Sequence, residues 1–228
     1  METEIEKIRF HLSNRYCVRT YQENVIRKWN AIAIDSPVQA RIDAYLRNPW
    51  VYWNHHIALE CISRLYPITS YLEIGSRIGA SAVIVLGNRT CSSLTAIDMF
   101  MPYAKDTVEE SEENFIRQIE PFYKTSQTDV QVMKENSHTA LKKLIELGFT
   151  YQLILVDGDH SKEGAMEDLE DSIQLLDKNS PSFIVFDDIN NTGCPWLRNV
   201  ALQFEKKYKL NSIWNDEHDN GTVIFSRH

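Results

Sequence analysis

The sequence predicts an α/β fold: a seven-stranded sheet, mostly parallel with one antiparallel C-terminal strand, plus an N-terminal helical cap. Three observations carry this reading. From about residue 70 onward, short apolar runs alternate with amphipathic stretches of helical length, the pattern of a parallel sheet covered on both faces. The apolar runs are nearly continuous, as strands buried on both sides are. The last two runs have only residues 215–221 between them. That is too short for a helical crossover, so they pair antiparallel.

The elements follow in order. Residues 71–74 read as the first strand and 80–87 as a helix. Residues 94–97 are the second strand. Residues 108–122 form a helix whose early glutamates favour its N-terminal end, and the acidic run 109–113 reads as a solvated helix start. Residues 130–133 are the third strand, and 137–147 a helix stopped by Gly148. Residues 153–156 are the fourth strand, 163–176 a helix, and 183–186 the fifth strand after Pro181. A helix over 196–208 and strands at 210–214 and 222–225 close the chain. Residues 1–66 differ: helical fragments at 4–12 and 22–29, a break at Pro37, then the aromatic segment NPWVYWNHH leading into a helix through Leu65. No Gly- or Ser-rich linker separates them from residues 67–228, so they read as a cap on the same domain.

Composition narrows the function. The chain has 228 residues, 43% hydrophobic and 25% charged, with a net charge of −8. Such a chain supports a real core, and its acidity argues against nucleic acid as a partner. Cys17, Cys61, Cys91 and Cys194 are scattered, with no CxxC pair, so reduced thiols in a cytoplasmic protein are expected. The N-terminal METEIEKIRFHLSNR lacks the apolar stretch of a signal peptide. The apolar run at 82–86 is far too short to span a bilayer, so no membrane partner is expected.

In an open α/β sheet ligands bind at the carboxyl ends of the strands. Here those ends are Glu73-Ile74-Gly75, Asp98, Glu135-Asn136-Ser137, Asp157-Gly158-Asp159-His160 and Asp187-Asp188. One acid at a strand end is ordinary turn chemistry; several on one sheet edge make a site. In YLEIGSRIGASAV, Gly75 and Gly79 bracket a tight turn that lets a ligand approach the backbone. A dinucleotide site would want three glycines. With two glycines and the negative Glu73, the turn suits a cationic ligand carrying an ammonium and a sulfonium. Asp98, about 20 residues on, stands where an acid holds ribose hydroxyls, and Met99 and Phe100 could pack on an adenine.

LEIGSRIGASAV, AID, ILVDGDHS and VFDDI together resemble the class I S-adenosylmethionine-dependent methyltransferases, more narrowly the metal-dependent O-methyltransferase branch of catechol, caffeoyl-CoA and antibiotic-sugar enzymes. The resemblance covers about residues 68–228 and implies a Rossmann-like fold. It implies that Glu73, Gly75, Ser76 and Gly79 line the methionine part of the cofactor, that Asp98 holds the ribose, and that Met99 and Ser137 lie near the adenine. It also implies that Asp157, Asp187 and Asp188 hold a divalent cation. Three carboxylates offer a hard oxygen site that suits Mg²⁺; without a cation they would repel one another and raise their pKa values. Catechol-type relatives have Asn where this chain has Asp188, which tilts the expected acceptor toward sugars or other small molecules with vicinal hydroxyls. The cation would lower the pKa of an acceptor hydroxyl. His160 or Asp159 would take the proton, with His160 favoured for its pKa.

Other signals are weaker. His55 and His56 invite a metal reading, but adjacent helix residues point apart, so metal ligation is not expected; the neighbouring aromatics Trp50, Tyr52 and Trp53 are expected to pack against the sheet or to form a substrate lid or a homodimer contact. Trp196 is a candidate wall of the acceptor pocket. Competing readings are a non-methylating tailoring enzyme on the same scaffold and a non-catalytic cofactor-binding protein. A nicotinamide dehydrogenase is disfavoured by the missing third glycine.

Overall fold

A computed structural model describes residues 3–48, 52–101 and 108–227. The cap contains α1 (Glu4–Ser13), α2 (Arg15–Trp29), α3 (Ser36–Arg47) and α4 (His55–Leu65). Alternation follows: β1 (Ser70–Ile74), α5 (Ala82–Leu86), β2 (Ser93–Ile97), α6 (Glu112–Ser126), β3 (Asp129–Met133), α7 (Ser137–Glu146), β4 (Leu153–Val156), α8 (Lys162–Leu175), β5 (Phe183–Asp187), α9 (Leu197–Tyr208), β6 (Asn211–Asn215) and β7 (Thr222–Ser226). The sheet order is β3-β2-β1-β4-β5-β7-β6. All pairings are parallel except those of β7, which runs antiparallel to both β5 and β6. The chain leaves β1 toward β2 on one side and returns to β4 on the other, so the strand order reverses between β1 and β4. That is where a cleft opens above the strand ends.

Strand alternation sorts side chains between two cores. Tyr71, Leu94, Ala96, Leu153, Leu155, Phe183 and Val185 face the layer made by the cap helices with α5 and α6. Leu72, Ile74, Ile97, Ile154, Val156, Ile184 and Phe186 face α7, α8 and α9. The cap thus shares its core with one face of the sheet. Among the described residues, no helix is long and apolar enough to cross a membrane.

Four details depart from the sequence reading, each for a local reason. Pro37 does not break the chain. It sits in the first turn of α3, where its missing N–H costs nothing, behind Asp35, whose side chain caps Val38 N at 2.9 Å. The second cap helix starts at Arg15, because Asn14 accepts from the amides of Tyr16 and Cys17. The helix expected from residue 108 starts at Glu112 behind the Ser111 cap. Glu110 therefore lies outside it and, far from solvated, binds the Arg77 guanidinium at 2.8 Å through Nε. The helix expected at 80–87 shrinks to Ala82–Leu86. Trp50 of the aromatic segment lies outside the described residues.

Candidate active site

The cleft holds a cavity of about 700 Å³. One end is built by the β1 turn and the end of β2. Gly75 adopts φ +87° and donates its N–H to Ile97 O at 2.9 Å. A Cβ there would stand 1.9 Å from the carbonyl oxygen of Asp157, so only glycine lets the tips of β1 and β4 meet. Asp98 faces the cavity. Its Oδ2 accepts from Arg77 N at 2.8 Å and its Oδ1 from Phe100 N at 2.5 Å, and each oxygen keeps a second lone pair for a ligand. Met99, Asn136 and Ser137 complete this end. Glu73 lies beneath, fully buried, with Oε2 lacking a hydrogen-bond partner. Burial, aided by the charges of Asp157 and Asp98, pushes its carboxyl well above the usual range.

The other end is acidic. Asp157 follows β4, Asp187 ends β5, and Asp188 follows with φ +62°. Asp187 accepts from Thr222 Oγ1 at 2.7 Å, its partner across the β5–β7 pair. The three acids are distributed over two groups that share Asp157. One joins Asp157 and Asp187 to His55; the other joins Asp157 and Asp188 to His160. Within each, the ligand atoms lie within 4.8 Å of one another. His55 Nδ1 is 2.6 Å from Asp187 Oδ2, and His160 Nε2 is 2.8 Å from Asp188 Oδ2 and 3.6 Å from Asp157 Oδ1. Burial, then the charges of Asp187 and Asp188, push the Asp157 carboxyl up to about 7. Asp188 is also desolvated, but hydrogen bonds from His160 and Asn220 outweigh this and hold it down at about 2. The Asp188 bond in turn raises His160 to about 9.

The loop between β4 and α8 is anchored from behind. His138 stands 3.2 Å from both Asp159 Oδ2 and Asp168 Oδ1. Buried Asp168 accepts from Asp159 N at 3.4 Å, and desolvation raises it to about 6. Asp159 Oδ1 caps Ser161 N at 2.7 Å.

A family profile described as a methyltransferase domain matches residues 72–189, just over half of the chain. The chain belongs to that family. Solved structures share the fold of this methyltransferase at low identity. A candidate caffeoyl-CoA O-methyltransferase from Staphylococcus aureus is 14% identical with a TM-score of 0.57, covering 85% of this chain and 93% of the other. A candidate O-methyltransferase from Klebsiella pneumoniae is 15% identical, TM-score 0.55, over 92% and 88%. A methyltransferase from Geobacter sulfurreducens is 14% identical, TM-score 0.57, over 84% and 88%. A comparison with curated proteins gives no match.

Within the methyltransferase fold, the sequence-predicted residues divide into those that reach the cavity and those that do not. Gly75, Asp98, Met99, Ser137, Asp157, Asp159, His160, Asp187 and Asp188 all line it. Glu73 and Ser76 are buried behind the turn, Ser76 Oγ donating to Glu73 O at 3.4 Å. Gly79 (φ +83°) backs onto Phe115 and Ile119 of α6. Trp196 supports the site indirectly, its indole N–H donating to His160 O at 2.8 Å. The adjacent histidines do not point apart: their ring centroids are 3.7 Å apart, and Nε2 faces Nε2 at 3.1 Å. They occupy the first turn of α4, where the side chains reach past the helix end. The sequence reading missed Arg41, which lines the cavity and bonds Asp219 at 2.8 Å, and Arg77, which locks the β1 turn to Glu110 and Asp35. Arg41 lies in no motif, and a basic residue in a cap helix looks like any solvated charge; Arg77 lies inside the glycine turn, but at a position the motif leaves open.

Proposed function

We propose that this chain is an S-adenosylmethionine-dependent O-methyltransferase that needs a divalent cation and acts on a small molecule with vicinal hydroxyls, such as a sugar. The observation that carries the reading is the two-ended cavity, with a glycine turn and a ribose-type acid at one end and Asp157, Asp187 and Asp188 at the other. The residues fit both groups. Gly75 lets the tips of β1 and β4 close together with no side chain between them, and Asp98 turns its carboxylate to the cavity beside that turn. Asp157, pushed up toward neutrality by burial and by the charges of Asp187 and Asp188, marks a cluster short of positive charge. Among the described residues lining the cavity none is Phe, Tyr or Trp, which favours a polyhydroxylated acceptor over a flat aromatic one.

When bound, the cofactor supplies an electrophilic methyl group and the cation lowers the pKa of the acceptor hydroxyl. The chain supplies the rest. Gly75, Asp98, Met99 and Ser137 would hold the cofactor, and Asp157, Asp187 and Asp188 the cation. His160 presents Nε2 to the cavity. Asp159 is engaged by Ser161 N and His138 and His160 by Asp188; with Asp188 given to the cation, His160 Nε2 would be released, which favours His160 as the base. Holding both reactants in one cleft supplies much of the acceleration in such a transfer.

The test is calorimetric. S-adenosylhomocysteine titrated into metal-stripped protein should bind, with or without Mg²⁺, because the cation serves the acceptor. No binding in either condition would overturn the methyltransferase reading. With an acceptor found among sugars and other vicinal diols, Asp187→Ala should lower turnover more than 100-fold, above the roughly 10–100-fold of an outer-shell change, while circular dichroism stays unchanged. Full turnover in that variant would remove the cation from the mechanism.

A further inference from the structure

We infer that His55, delivered by the cap, is a direct ligand of the cation, and that the site therefore prefers a nitrogen-accepting transition ion over Mg²⁺. This rests on the cation reading above and names the metal class. His55 is the first residue of α4, and its side chain is 3% exposed. Its Nδ1 approaches Asp187 Oδ2 to 2.6 Å yet makes no aligned hydrogen bond. A buried nitrogen and a carboxylate oxygen in ion-pair contact but out of line for a good N–H···O bond need part only slightly to share one ion.

The third ligand and the outer partners agree. His55 Nδ1, an Asp157 oxygen and an Asp187 oxygen lie within 4.8 Å of one another, a spread that bonds of about 2.0–2.2 Å to a common ion can draw together. Metal-ligating histidines give their second ring nitrogen to a fixed partner, and ligating carboxylates are themselves hydrogen-bonded. Here His55 Nε2 faces His56 Nε2 at 3.1 Å, and Asp187 Oδ1 accepts from Thr222 Oγ1 at 2.7 Å. With Nε2–H given to His56, the Nδ1 lone pair is left pointing into the acid cluster. His56 is held in turn by Trp29, whose indole meets its ring edge-on at 4.8 Å between centroids. Asp188, the partner of His160, would complete the oxygen donors from the far side of Asp157.

One imidazole among two carboxylates changes the metal. Mg²⁺ takes oxygen donors almost exclusively, whereas imidazole suits Mn²⁺, Fe²⁺, Co²⁺ and Zn²⁺ increasingly along the Irving–Williams order. The experiment measures binding to the metal-stripped chain, using Co²⁺ visible absorption and competition by Mg²⁺. The wild-type chain should bind Co²⁺ at least about 100-fold more tightly than Mg²⁺. His55→Ala should weaken Co²⁺ by about 100-fold and Mg²⁺ by under about threefold, collapsing the preference and changing the cobalt spectrum. His55→Asn keeps a polar group of similar reach and gives the same readout if the alanine variant does not fold.

If His55 only orients Asp187, both metals weaken in parallel and the proposal fails. An unchanged cobalt affinity and spectrum would place the ion with Asp157, His160 and Asp188, and the proposal fails again. Should no metal bind the wild-type chain, this inference and the cation requirement fall together; the S-adenosylhomocysteine titration then shows separately whether the methyltransferase reading survives.

Discussion

Gly75→Ala is expected to abolish S-adenosylhomocysteine binding and to destabilise the chain by several kcal/mol. Two costs add. The residue sits at φ +87°, where a side chain costs roughly 1–2 kcal/mol. The new Cβ would lie 1.9 Å from Asp157 O and 2.6 Å from Asp157 C. Those are backbone atoms held in the sheet by Asp157 N donating to Ile74 O at 3.0 Å, so no rotamer change relieves the clash. The tips of β1 and β4 must part, which moves Asp157 and widens the cofactor end together. Gly148 is the internal control. It also has positive φ, +75°, but nothing lies within 4 Å of its Cβ position. Gly148→Ala should cost only about 1 kcal/mol and leave binding intact. Thermal melts and calorimetry on the two variants read both effects. Binding by Gly75→Ala within threefold of wild type would mean that the turn is not the cofactor cradle.

The contrast between Gly75 and His55 also shows which parts of the molecule the sequence discloses. Period-2 and period-3.6 patterns are local, so the strands at 153–156 and 183–186 and the acids that end them could be read directly, and sheet topology then brings those acids to one edge. Capping side chains are local too, but Asn14, Ser111 and Asp35 act within three residues of a boundary, and the boundaries missed are those where such a cap outvoted the apolar pattern. His55 and Arg41 are different in kind. Their place in the site depends on how cap helices dock over the β4 and β5 tips, and no periodicity encodes that. The Asp35–Arg77–Glu110 linkage, which ties α3 to the β1 turn and the approach to α6, is invisible for the same reason. The histidine pair was visible as a pair; the rule that adjacent helix residues diverge applies to a helix interior and not to its first turn.

That dependence of the site on the cap leads to the other large expected effect. Trp29→Ala should lower the stability of the whole chain by about 3–5 kcal/mol, or roughly 6–20 °C in Tm at 2–4 °C per kcal/mol. Trp29 is fully buried at the end of α2. Its indole N–H donates to Ala80 O at 2.9 Å in the turn before α5, its ring stacks on Tyr45 of α3 at 6.0 Å, and it meets His56 of α4 edge-on. One side chain thus fastens three cap helices to the methyltransferase core. Beside it, Lys28 Nζ bonds Glu60 at 2.5 Å and Ile84 O at 2.7 Å, a second link that Trp29→Ala leaves in place. The chain should therefore still unfold in one transition, at lower temperature, by calorimetry. Two separated transitions in the wild type would mean that the cap folds independently of the sheet. Loss of the Trp29 ring also frees His56 and, through it, His55. Cobalt affinity should then fall in Trp29→Ala while S-adenosylhomocysteine affinity, set by the opposite end of the cavity, changes little. A parallel loss of both would show that the indole supports the cleft as a whole and not the histidine pair in particular.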